Sequence, residues 1–114
     1  MEIRLLNKNE YPPMDLLLTA DPSEQLVKDY LESGHCYTVE IDKQTAGVFV
    51  LLKISSYTIE LINIAVDERY QGKGIGKALV KDAIQKSKDL GFKKIEVGTG
   101  NSSIDQLALY QKCG

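Results

Sequence analysis

Between Ile59 and Lys77 an apolar run gives way to three alternating glycines and then to a helical repeat. This junction limits the possible folds more than any other stretch. Ile59-Glu60-Leu61-Ile62-Asn63-Ile64-Ala65-Val66 reads as a strand, and Asp67 to Gln71 as a short turn. Gly72, Gly74 and Gly76 then open a helix whose apolar face is Ile75, Leu79, Ala83 and Leu90, widened by Val80, Ile84 and Ser87. Gly91 closes it. The first N–H groups of a helix have no partner within it, so they and the helix dipole favour an anion there. Glycines without side chains let phosphate groups come close to such a main chain.

The strand changes phase along its length. Ile59 and Leu61 share one face at a period of two, while Ile62, Ile64 and Val66 continue in the opposite phase. Two readings fit equally. The strand is buried on both faces, or a β-bulge between Leu61 and Ile62 inserts one residue and flips the alternation. A bulge would bend the strand from its neighbour and leave main-chain groups near Ile64 and Val66 free for a ligand.

The rest of the chain builds a scaffold around this junction. Ile3 and Leu5 mark a short first strand, and Pro12-Pro13 breaks the chain. Met14 to Ala20 predicts a short helix. Asp21-Pro22-Ser23-Glu24 predicts a second, with Asp21 as cap, Pro22 in the first helical position and Glu24 completing a capping box. Leu26, Val27, Tyr30 and Leu31 have helical spacing, and Gly34 is expected as a left-handed terminator. Cys36–Ile41 and Thr45–Ile54 form a hairpin about Asp42-Lys43-Gln44, and Ser55-Ser56 leads into a third antiparallel strand, 57–66. Phe92–Val97 follows the long helix as a strand parallel to it. A polar loop over 98–103 precedes a last helix, 104–112. The expected fold is a mixed α/β sheet, an antiparallel meander plus a parallel pair, with helices on its faces.

At 114 residues this is one domain. Its net charge of -2 gives no global signal for nucleic acid or an anionic membrane. Charge is uneven, however: eight Lys or Arg and two Asp lie between Arg69 and Lys94, enough to offset an anionic ligand. The two cysteines, Cys36 and Cys113, are far apart and lie outside any C-x-x-C, and no secretory signal or long apolar run is present. A reducing cytoplasm is therefore the expected location. One histidine, His35, and two distant cysteines make no metal cluster. Ser102, Ser103 and Cys113 lack an evident base, which argues against an acyl-enzyme.

Two phosphate motifs fail at the glycines. A P-loop ending on Gly76-Lys77 needs Gly at position 71 and Ser or Thr at position 78, where Gln71 and Ala78 stand. A dinucleotide fingerprint from Gly72 needs a glycine where Lys77 stands. Gln71-x-x-Gly74-x-Gly76, after a strand ending Ala65-Val66, instead resembles the [QR]-x-x-G-x-[GA] signature of the GNAT superfamily of N-acetyltransferases. Asn101 and Ala108-Leu109-Tyr110-Gln111-Lys112-Cys113-Gly114 resemble a second region of that family. The likeness is strong over 57–114 and weaker, in the right order, over 1–56.

The resemblance implies acetyl-CoA as donor and a primary amine of a small molecule or peptide as acceptor, with no metal. It places the pyrophosphate on main-chain N–H groups of Gly72, Lys73, Gly74, Ile75, Gly76 and Lys77, beside Gln71. It puts the pantetheine arm along Ile64, Ala65 and Val66, in a V opened by a bulge; Asn101, ordinarily a turn residue, is implied to touch the pantetheine or the entry to the final helix. Glu60 matches a general base, although an exposed strand carboxylate is the ordinary reading of such a residue. Tyr110 matches the tyrosine that protonates the departing thiolate; its ordinary reading is an amphipathic core residue. Asn63 fits either a bulge-stabilising or a substrate-facing role.

In the resembled family two further strands follow the position of Gly114. Their absence implies a fragment, a natural short form or a cover supplied by a neighbouring chain; without them an edge near Phe92–Val97 would lie open, and self-association, most simply as a dimer, is expected. A non-catalytic acyl-CoA-binding or interaction module is the alternative function, and a nucleotide-binding module a distant third.

Overall fold

The structure, a computed structural model, describes residues 2–97. The elements run β1 (Glu2–Leu5), α1 (Met14–Ala20), α2 (Glu24–Ser33), β2 (His35–Ile41), β3 (Gln44–Lys53), β4 (Thr58–Val66), a 3₁₀ turn (Glu68–Tyr70), α3 (Ile75–Asp89) and β5 (Lys94–Val97). The strands form one five-stranded sheet in the order β1-β2-β3-β4-β5. β1 to β4 are antiparallel neighbours, and β5 joins β4 in parallel after the α3 crossover. This is the mixed α/β fold expected. Expected residues 104–112, with the loop before them, lie outside the described residues.

Helices cover both sheet faces, each over its own core. On one face α3 packs Leu79, Val80, Ala83 and Ile84 against Ile59, Leu61, Ile64, Phe49 and Val39. Tyr37 stacks on Phe49, ring centroids 4.8 Å apart. On the other face Leu17 of α1 and Val27 and Tyr30 of α2 pack with Cys36, Val48, Val50 and Ala65. Truncating a fully buried residue such as Leu79 to Ala would cost about 2–5 kcal/mol.

The bulge reading of β4 is the one the fold realises. Val50 pairs with Asn63, but its neighbour Leu51 pairs with Leu61, so Ile62 is the extra residue. Before it Ile59 and Leu61 face α3; after it Ile64 and Val66 do. Ile62 turns to the α1–α2 side. The described pairing of β4 with β5 runs from Thr58↔Lys94 to Leu61↔Val97, up to the bulge.

Two local expectations are corrected. Asp21 does not cap α2: Ser23 does, accepting a hydrogen bond from the Leu26 N–H through its hydroxyl at 3.3 Å. Pro22 therefore lies before the cap. Asp21 is already committed, ending α1 through its own N–H to the Leu17 carbonyl and accepting from the Ser23 N–H. Gly34 is not left-handed; at φ -88° and ψ 171° it is extended and runs straight into β2. Glycine stands there for close approach, since a Cβ would sit 2.7 Å from the Tyr30 carbonyl oxygen. The carbonyls at the end of α2 are met instead by Lys8, whose Nζ donates to the Leu31, Glu32 and Gly34 oxygens. Asp42 and Lys43, both at positive φ, make the tight β2–β3 turn.

Candidate active site

The end of β4 is braced before the glycines begin. The Asp67 N–H donates to the Ala46 carbonyl at 2.8 Å. Asp67 also caps the 3₁₀ turn, accepting from the Arg69 N–H and Nε, each at 2.9 Å. The Arg69 guanidinium holds the Asp67 carboxyl below its usual range and is itself held further protonated. Arg69 Nη1 donates to Gln44 Oε1 at 2.6 Å, and the Tyr70 hydroxyl donates to the same oxygen at 3.2 Å, tying the turn to the start of β3. Gln71 Nε2 donates to the Val66 carbonyl at 3.1 Å, and the Gln71 N–H to that of Glu68 at 3.4 Å. The side chain of Gln71 thus fixes the shape of the turn from within.

Gly72 and Gly74 follow at φ +78° and +81°, a region that costs other residues about 1–2 kcal/mol. Nothing lies within 4 Å of where their Cβ atoms would be, so the space over this turn is open. Gly74 is the residue before α3 and offers it no side-chain cap. The first turn of α3 holds no acidic residue either. Ala78 is the first N–H to bond back, to the Gly74 carbonyl at 3.1 Å. The N–H groups of Ile75, Gly76 and Lys77 therefore precede the helical ladder.

The side chains divide the work. Ile75 is buried in the α3 core, so only its main chain can serve a ligand. A Cβ at Gly76 would touch Val66 at 3.7 Å, an ordinary contact. Lys73 Nζ lies over the Tyr70 ring, 5.7 Å from its centroid, and Lys77 is exposed. Ile64 and Ala65 are buried on opposite faces of β4, and Val66 is half-buried. Ile64 and Ala65 can therefore offer a ligand no side chain, whereas Val66 also lines a cleft. An open cleft of about 1150 Å³ lies alongside, between the Pro12–Leu16 segment and Val66–Gln71.

Glu60 stands on β4 one residue before Leu61, on the face away from α3, and is half-buried. Desolvation raises its pKa above the ordinary carboxyl value, and Glu96, opposite it on β5, raises it further. A carboxylate shifted this way accepts protons nearer neutral pH. Cys36 is no competitor as a nucleophile, because burial pushes its thiol up to about 12. Tyr110 and Asn101 lie outside the described residues.

Asn63 has a partner set that its place in the sequence left open. Fully buried, it donates through Nδ2 to the Leu17 carbonyl at 3.0 Å and to the Tyr30 hydroxyl at 2.8 Å. It faces the two helices, as a residue stabilising the bulge would. Gln44 and Arg69, which lock the turn, carried no sequence signal, because their contact joins positions 25 residues apart.

Among the described residues no group of His, Cys, Asp and Glu could hold a metal ion, and no helix is long and apolar enough to cross a membrane.

A bulged strand thus leads into an open, uncapped helix start, an arrangement that presents main-chain N–H groups to an anion. The GNAT acetyltransferase family matches residues 3–114, and the chain belongs to it. It is 61% identical over 100 residues to an uncharacterized N-acetyltransferase of Bacillus subtilis, YvbK, covering 88% of this chain and 64% of that protein. A solved GNAT family acetyltransferase from Elizabethkingia anophelis, with acetyl-CoA bound, superposes with a TM-score of 0.91 at 45% identity, over 99% of this chain and 74% of that one. A Bacillus subtilis acetyltransferase in complex with CoA superposes with a TM-score of 0.88 at 56% identity, over 98% and 74%.

Proposed function

We propose that this chain is an acetyl-CoA-dependent N-acetyltransferase acting on a primary amine. The open start of α3 carries the proposal: N–H groups without intrahelical partners, no capping side chain, no acid in the first turn, and lysines at positions 73 and 77. These are the donors and the charge that a diphosphate needs, and the family and its acetyl-CoA-bound member agree with them.

Bound acetyl-CoA supplies an acetyl group activated as a thioester. The main chain from Gly72 to Lys77 takes its phosphates, and Ile64 and Val66, on either side of Ala65, offer main-chain groups to the arm, because Ala65 turns its own toward Val48 of β3. Glu60 removes a proton from the acceptor ammonium, directly or through water. The free amine then bonds to the acetyl carbon, while an N–H near Ile64 or Val66 stabilises the oxygen as it gains charge. As the C–S bond breaks, Tyr110 gives a proton to the sulfur, and the proton that the newly acylated nitrogen sheds to solvent is matched by one that restores the tyrosine; this role rests on the family resemblance. The acceptor is a primary amine of a small molecule or a peptide.

Acetyl-CoA should raise the melting temperature of the purified chain and free acetate should not. Release of free thiol in the presence of a panel of primary amines then tests catalysis. A thermal shift without thiol release from any amine would leave a binding module in place of an enzyme.

A further inference from the structure

We infer that Asn63 is a positioning residue for the acetyl-CoA site, because its side chain clasps both α1 and α2 and so fixes where the extra residue of β4 sits. This rests on the acetyl-CoA reading above. The apolar pairs Ile59/Leu61 and Ile64/Val66 all face α3, so one extra residue must lie between Leu61 and Ile64. Apolar packing does not say whether Ile62 or Asn63 is that residue. The hydrogen bonds do. With Ile62 extra, Asn63 pairs with Val50 and its amide reaches Leu17 and Tyr30.

Three pieces of chain meet at this amide. The Leu17 carbonyl near the end of α1 accepts from Asn63 Nδ2 and from the Asp21 N–H, the latter at 3.1 Å. The Tyr30 hydroxyl of α2 accepts from Asn63 and donates to Asp21 Oδ2 at 3.4 Å. Asp21 belongs to the α1–α2 connection. The helix pair is thereby registered on the residue immediately before Ile64, whose main chain lies at the start of the proposed arm-binding segment. Moving the bulge by one residue would redirect the main-chain groups of Ile62 and Asn63, next to Ile64, while leaving the α3 core intact.

The clasp is not optimised for stability. Asn63 Oδ1 is buried with no hydrogen-bond partner. Replacing Asn63 by Leu removes that orphan acceptor together with the two donated bonds, while Leu17 O and the Tyr30 hydroxyl keep their bonds with Asp21. Asn63→Leu should therefore change the melting temperature of the ligand-free protein little, yet weaken acetyl-CoA binding.

Titration calorimetry of acetyl-CoA against the full chain, Asn63→Leu, Tyr30→Phe and the double variant is the test. Asn63→Leu should raise Kd roughly fivefold, Tyr30→Phe should raise it by less, and the double variant should match Asn63→Leu alone. A residue that merely supports the fold would shift melting temperatures with Kd unchanged. Unchanged Kd in Asn63→Leu, or losses that simply add in the double variant, would overturn the inference. Should Asn63→Leu not fold, Tyr30→Phe decides alone, since it removes one oxygen and an unchanged Kd there would also overturn it. A wild-type chain that binds no acetyl-CoA would instead remove the acetyl-CoA reading itself, and this inference with it.

Discussion

Helices α2 and α3 begin in opposite ways, one capped from within and one left open. α2 starts on Ser23, whose hydroxyl accepts from the Leu26 N–H, with Glu24 in the first turn. Its positive end is neutralised from within. α3 starts on Gly74, which has no side chain, with no acid in its first turn. Its positive end is left for a partner from outside. Both helices bury an apolar face, so packing does not separate them. The difference lies wholly in how the first N–H groups are met.

The largest test of this contrast is to fill the open end. Gly74→Glu puts a carboxylate over the phosphate position and a side chain at φ +81°. The melting-temperature rise with acetyl-CoA should vanish, and the ligand-free protein should lose about 1–2 kcal/mol. An unchanged shift would disprove the phosphate site.

Chemistry should be separable from this binding. Glu60→Gln lies on the strand rather than at the helix start, so turnover should fall about 100-fold with the thermal shift intact. In the wild type turnover should climb as pH rises through the raised Glu60 pKa, because the charged carboxylate is the working form. The same raised value makes Glu60 favour the folded state while it is protonated, at and below the ordinary carboxyl range. That contribution is lost as pH rises through its folded pKa. A pH–rate profile with no rising limb, or full turnover by the Gln variant, would end the general-base role.

A subtler change should invert the two effects. Gly76→Asp fits against Val66 and gives α3 the first-turn acid that α2 has. Thermal denaturation should show the ligand-free protein about 0.3–1 kcal/mol steadier from the dipole, while acetyl-CoA affinity drops sharply. Tight binding by this variant would mean the helix start is not where the charge is held. The smallest effect belongs to α2: Ser23→Ala should cost about 1 kcal/mol in denaturant unfolding and leave the acetyl-CoA shift as it was.

Much of this was legible along the chain, for a physical reason. Periodicity is local, so Leu79, Val80, Ala83 and Ile84 announced the buried face of α3, and alternating apolar residues announced the strands. The phase change after Leu61 announced a flaw in the strand, though not which flaw, because a doubly buried strand shows the same pattern. Gly91 was readable as the residue that closes α3 and is left-handed, whereas the glycines at 72 and 74 were readable only as places of close approach and their positive φ is a finding of the fold. Gly34 was misread for the same reason: a glycine after a helix predicts a left-handed cap, but Lys8 already holds those carbonyls, and what demands glycine is the nearby Tyr30 carbonyl. Asp21 was misread because nothing nearby in sequence shows that its N–H ends α1 and that its carboxylate serves Ser23 and Tyr30.

Residue order alone was enough for the strand–turn–helix unit and for the glycines that keep its turn open, because short-range sterics and hydrophobic period act between neighbours. Packing in three dimensions was needed to place the extra residue at Ile62, to join Arg69 to Gln44, and to give Asn63 its two helices. Those contacts link positions 25 to 46 residues apart, where a side chain's partner depends on how the whole sheet and its helices come together.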